Sequence, residues 1–99
     1  MIYKIKITQL AKLEIKNISN YIFMNSFSES IANKVYNEIY SKIYSLSIFP
    51  EIYPIYEKDY RVMTINKKYR VFYTVNNLDK IVTVKYVFSS SQNYKEYLY

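Results

Sequence analysis

The sequence predicts an α+β fold in the order β-α-α-β-β-β: an antiparallel-dominated sheet with a helical hairpin packed on one face. Three observations carry that prediction. A short segment at the start alternates apolar and polar residues; apolar residues then recur at helical spacing over two consecutive stretches; three strand-like runs follow, separated by asparagine-bearing turns.

Residues Ile2 to Ile7 alternate and read as the first strand. Thr8 offers a hydroxyl to cap the helix behind it, where Ala11, Ile15, Ile18 and Ile22 make an apolar stripe. That helix should stop near Met24 to Asn25, with Asn taking a left-handed conformation in place of glycine. Ser28 is the next cap, and Phe27 with Ala32 fits a hydrophobic staple. The second helix buries Ala32, Val35, Ile39, Ile43 and Leu46 and ends by Phe49, because Pro50 cannot continue it. Glu51 to Glu57 reads as an extended connector. Strands are expected over Tyr60 to Ile65, Tyr69 to Val75, and from Lys80 or Ile81 to Phe88, with Asn66 and Asn76-Asn77 replacing glycine in the turns. Along the middle run, Val71, Tyr73 and Val75 share one face and Arg70 points to the other.

With 99 residues and 51% hydrophobic content, the chain supports one domain and one core. No internal repeat or linker divides it. Cysteine and histidine are both absent, which removes disulfides, thiolate metal sites and the usual general base at neutral pH. Any catalysis must run on Tyr, Lys, Arg, Asp or Glu, and no cofactor or metal is expected. No long apolar stretch follows the first strand and no run is long enough to span a bilayer, so a cytoplasmic location and no membrane partner are expected. Fourteen Lys and Arg against eight Asp and Glu give a net charge of +6. That charge suits a polyanionic partner, although abundant Ile, Lys, Asn and Tyr with no Gly also fit an AT-rich genome. Against such a bias, Arg61 and Arg70 stand out, since each suggests a need for the planar guanidinium fork.

Several local strings resemble the RelE/ParE toxin family. "YKIKITQLAKLEIKNISNYI" is similar to that family's first strand and helix, with Thr8 and Ala11 in its Thr-x-x-Ala arrangement. "IYSLSIFPEIYP" resembles the exit of its second helix, and "YRVMTINKKYRVFYTV" resembles its Arg-bearing strand followed by a Tyr-Arg strand. The resemblance spans nearly the whole chain. It implies the toxin of a bacterial type II toxin–antitoxin pair, a growth inhibitor neutralised by a cognate antitoxin protein. RelE-like members cut messenger RNA on the ribosome, whereas ParE-like members inhibit DNA gyrase, so fold alone does not choose between them.

RNA cleavage next to a 2′-hydroxyl needs that hydroxyl activated, the phosphate stabilised and the leaving oxygen protonated. The resemblance assigns Arg70 as the phosphate clamp, a use that suits a permanently charged fork. Arg61 would be a second phosphate contact, or else a surface ion pair with Asp59 or Glu57. Lys67, Lys68 and Lys85 are candidates for nucleic-acid contact, and turn lysines are also commonly just solvated. The family's C-terminal basic pair is replaced here by Ser89-Ser90-Ser91-Gln92-Asn93, leaving Tyr94 or Tyr97 as acid or base. An unshifted phenol is a poor base near neutrality. Tyr36, Tyr40 and Tyr44 follow each other at helical spacing and would bind the antitoxin, or pack partly into the core.

Three functions compete at this level. A ribosome-dependent messenger-RNA endoribonuclease using Arg70, Arg61 and a C-terminal Tyr is placed narrowly ahead. A ParE-like non-enzymatic inhibitor of gyrase follows, favoured by the helical hairpin and its "NYI" and "FPEIYP" strings. An inactive homologue that only binds antitoxin is the third.

Overall fold

The computed structural model describes residues 2–90. The elements are β1 (Lys4–Ile7), α1 (Gln9–Ser26), α2 (Glu29–Ser45), β2 (Arg61–Ile65), β3 (Tyr69–Asn76) and β4 (Ile81–Ser89). The expected α+β order is therefore present. The four strands lie in the order β1-β4-β3-β2; β1 runs parallel to β4 and the other neighbours pair antiparallel.

Both helices begin where the sequence places their caps. The Thr8 hydroxyl accepts from the Ala11 amide at 3.1 Å, and the Ser28 hydroxyl accepts from the Ile31 amide at 3.2 Å. The end of α1 differs from expectation. Asn25 Nδ2 donates to the Tyr21 carbonyl at 2.8 Å and Ser26 Oγ to the Ile22 carbonyl at 2.7 Å, satisfying last-turn acceptors and carrying the helix to Ser26. The left-handed residue is then Phe27 (φ 53°), not Asn25. A bulky side chain there costs about 1–2 kcal/mol of local strain. Phe27 is 83% exposed, so it makes no staple with Ala32.

The connector after α2 is not simply extended. It doubles back beside β2: Ile55 bridges Arg61, the Tyr56 amide donates to the Tyr60 carbonyl at 2.7 Å, and the Val62 amide donates to the Pro54 carbonyl at 3.0 Å. These bonds cover the free edge of β2. In the β2–β3 turn Asn66 and Lys67 both have positive φ, the signature of a type I′ turn. In the β3–β4 turn the left-handed residue is Lys80. Asn76 acts there through its side chain, Oδ1 accepting from the Asp79 amide at 3.0 Å.

A β-bulge decides where the core sits. Phe72 pairs with Tyr86 but Tyr73 pairs with Val84, so Lys85 is the extra residue. By simple alternation Val82, Val84, Tyr86 and Phe88 would share one face. The bulge instead leaves Val82, Val84 and Val87 under the helices and turns Tyr86 and Phe88 to the opposite side. The helix-facing core joins Ala11, Ile15, Ile18, Ile39, Ile43 and Leu46 to Val71, Tyr73 and the β4 valines. A second cluster on the other face centres on fully buried Phe72 and Phe88, with Tyr56, Tyr60, Val62 and Tyr86 around them.

Candidate functional site

Arg61 and Arg70 lie on adjacent antiparallel strands, so register fixes which way each points. Arg61 pairs with Tyr73 and alternates with Met63 and Ile65, placing it on the helix side. Its Nη1 donates to the carbonyls of Tyr53 (2.8 Å) and Glu51 (3.2 Å), and Nη2 lies 3.5 Å from Glu51 Oε2. The ion-pair partner is thus Glu51, not Asp59 or Glu57, because the connector folds back over the strand start. Beside it the Tyr73 hydroxyl donates to the Pro50 carbonyl at 2.5 Å. Burial pushes the Tyr73 phenol well above its ordinary value, and the Arg61 charge offsets part of that rise. Together these two side chains fasten the connector from Pro50 to Tyr53.

Arg70 pairs with Thr64 on one side and Phe88 on the other, on the face away from the helices. Its neighbours there are rings. Phe72 and Phe88 meet edge-on at 5.8 Å, Tyr56 meets Phe72 edge-on at 5.6 Å, and Tyr86 stacks on Phe88 at 5.6 Å. Tyr60 closes the group at 6.1 Å from Tyr86, and its phenol is raised, chiefly by burial. This face offers one guanidinium beside aromatic surface. The two arginines are not brought to a common site.

The remaining predicted residues fall in separate places. Lys67 and Lys68 are exposed in the β2–β3 turn, and Lys85 sits at the bulge, where its carbonyl accepts from the Thr8 hydroxyl at 3.3 Å. Tyr94 and Tyr97 lie outside the described residues. Tyr36, Tyr40 and Tyr44 do form a continuous ladder on α2, with ring centres 4.9 and 6.4 Å apart. Tyr36 and Tyr44 are exposed while Tyr40 packs against the core, and burial, reinforced by both neighbours, pushes the Tyr40 phenol up to about 12.

Sequence reasoning did not single out Glu14. Its Oε1 accepts from the Val87 amide at 2.9 Å, on β4 beyond the point where β1 ends. Burial raises this carboxyl and the amide contact partly lowers it again. The only available signal was an acid among the lysines of α1, adjacent to its apolar stripe. Near Glu14 a groove of about 520 Å³ opens between the later half of α1 and the far end of the β3–β4 pair. Among the described residues no group of three or more His, Cys, Asp or Glu could hold a metal, and no helix is long and apolar enough to cross a membrane.

A helical hairpin laid on one side of a sheet ordered β1-β4-β3-β2 is the architecture of the RelE/ParE-like toxins. The toxin–antitoxin complex RelBE2 from Mycobacterium tuberculosis gives a TM-score of 0.66 at 13% identity, over 93% of this chain and 95% of that one. A mutant of the E. coli toxin RelE in the free state gives 0.62 at 16% identity, over 92% and 86%. The chromosomal ParDE toxin–antitoxin system from P. aeruginosa gives 0.76 at 14% identity, over 89% of this chain and 96% of that one. Residues 5–94 match the model of the ParE toxin of the type II toxin–antitoxin system parDE, and the chain belongs to that family. No curated protein matches it significantly in sequence.

Proposed function

We propose that this chain is the growth-inhibiting half of a type II toxin–antitoxin pair, held by a cognate antitoxin, and that it acts by binding DNA gyrase. The observation that carries the choice of target is the separation of the two arginines. Arg61 is committed to the connector carbonyls on the helix side, and Arg70 stands on the other face. A paired phosphate clamp would need both guanidinium groups on one side. The match over residues 5–94 is to the ParE family, which points the same way. In a supercoiling assay with purified gyrase, the chain should block conversion of relaxed plasmid. Normal supercoiling at a large excess of the chain would overturn the reading.

A ribosome-dependent endoribonuclease is the second reading, and the chemistry around Arg70 favours it. A guanidinium that holds a phosphate, set beside Tyr60, Tyr86 and Phe88, suits single-stranded RNA whose bases stack on rings. Added to a cell-free translation reaction, such an enzyme would leave codon-positioned breaks that primer extension maps. They should vanish with Arg70→Ala and survive Arg61→Ala. An intact message removes this reading.

A further inference from the structure

The chain leaves α2 in successive tight turns, in which the amides of Ser47, Ile48 and Ile52 donate to the carbonyls of Tyr44, Ser45 and Phe49. Leu46 goes into the core there, whereas Ile48, Phe49 and Ile52 stay outside, 56%, 67% and 68% exposed. With Tyr3 and Pro50 they line a hollow of about 260 Å³, at the end of the sheet where β1 and β4 begin. Leu78 stands beside it in the β3–β4 turn and is 96% exposed. That turn is pinned to the rim of the hollow. Asn77 accepts from the Tyr3 hydroxyl at 2.6 Å and donates to Glu51 at 3.3 Å, and Lys80 Nζ lies 5.1 Å from the centre of the Tyr3 ring. The Tyr73 hydroxyl holds the Pro50 carbonyl from the core side.

Size, charge and shape define what covers this end. The exposed side chains present on the order of 500 Å² of apolar surface, near the upper limit for the largest patch on a monomer. A standard interface covers about 800 Å² on each partner, a little over half of it apolar, and this end supplies that share. Residues 2–4, 48–61 and 76–80 make up the end and hold four acidic and four basic side chains, so the excess behind the net charge of +6 lies elsewhere. A polyanion finds no attraction here, and two copies of the chain can meet without the repulsion that their other faces would bring. The patch is also self-complementary, with an aliphatic knob, Leu78, set next to a hollow that has room for one. A two-fold axis passing between knob and hollow makes both contacts at once. Because turn and connector are already tied down, little freedom is lost on docking.

We infer that this end of the molecule is a two-fold dimer interface, with Leu78 of each copy seated in the hollow of the other. The inference stands apart from the toxin reading: Arg70 and the groove beside α1 lie toward the opposite end of the sheet and stay open in the dimer. Sedimentation velocity of the purified chain from about 1 to 300 μM should show a reversible dimer with a dissociation constant in the micromolar range. Leu78→Asp changes one exposed side chain, so backbone amide spectra should match wild type. It should raise that constant at least about 100-fold, since each dimer makes the contact twice. Ile52→Asp should act likewise from the other side of the contact, and Ile31→Asp, exposed on α2, should leave dimerisation unchanged. The chain has no cysteine, so the contact can also be read by cross-linking. An oxidised mixture of Leu78→Cys and Ile52→Cys chains should give the mixed disulfide beyond its statistical share. A monomer at every concentration overturns the inference. So does a dimer that neither aspartate variant weakens, or one that Ile31→Asp weakens as much. Mixed disulfides no more frequent than chance overturn the seating of Leu78 in the hollow.

Discussion

The helix-covered face of the sheet is largely aliphatic and closed by two helices, whereas the opposite face is aromatic and carries Arg70. Both draw on the same strand. β4 gives Val82, Val84 and Val87 to the first and Tyr86 and Phe88 to the second, and the change of side occurs at Lys85. One inserted residue thus lets a nine-residue strand build a core and furnish a ring-lined surface. The arginines follow the same division. Arg61, on the closed face, has become a fastener for the chain; Arg70 stands among the rings.

Exchanging Tyr86 and Val87 is the most severe way to break this contrast. With Lys85 bulged out, the exchange would put the tyrosine under the helices, where the packed interior has no space for it, and take its ring from the aromatic face, at a cost above about 4 kcal/mol. No cooperative thermal transition should remain in circular dichroism; a melt like that of wild type would show that the bulge does not sort the two faces. Next in size is Ile39→Ala, which should cost about 2–5 kcal/mol in urea denaturation, since Ile39 is fully buried beneath the sheet. Half-buried Tyr86, changed to Ala on the other face, should cost nearer 1 kcal/mol. Equal losses would mean that the aromatic face is as much a core as the aliphatic one.

Tyr73→Phe comes third. It removes the donor to the Pro50 carbonyl and should cost about 1–3 kcal/mol with little change in fold. The smallest effect is expected of Glu14→Gln. Because burial raises the Glu14 carboxyl, the folded state holds that proton more tightly than the unfolded chain does. Its contribution is present at low pH and is lost as pH rises through the raised value. The Gln variant should therefore equal or slightly exceed wild type in stability at neutral pH, and wild type should gain on it as pH falls. A variant that is clearly weaker at neutral pH would show that the ionised carboxylate earns its place at Val87.

Much of the architecture was legible because local chemistry and tertiary packing agree. Thr8 and Ser28 start the helices, and the apolar residues behind them recur at helical spacing, while α2 stops at Ser45, short of the end that Pro50 would have set. The opposite orientation of Arg70 and Val71 followed from strand alternation alone. The bulge was not legible, since "IVTVKYVF" alternates cleanly and carries no glycine to mark a break. Nor was the left-handed Phe27, because Asn25 is the better intrinsic candidate until its side chain is spent on the Tyr21 carbonyl. For the site, the tyrosine ladder could be read from spacing. The loss of Arg61 to the connector could not, since Glu51 and Tyr53 reach it only through a fold-back that no short motif announces.

The parallel pairing of β1 with β4 also bears on how the protein comes into being. Thr8 and Lys85 lie 77 positions apart, and among the described residues β1 pairs with no strand but β4. During synthesis the first strand and both helices emerge with their sheet-facing sides bare, and no partner for β1 exists until the last strand has left the ribosome. Contacts this distant in sequence form slowly, after shorter-range ones. A chain cut short before β4 therefore lacks the finished sheet, with β1 left beside no neighbour.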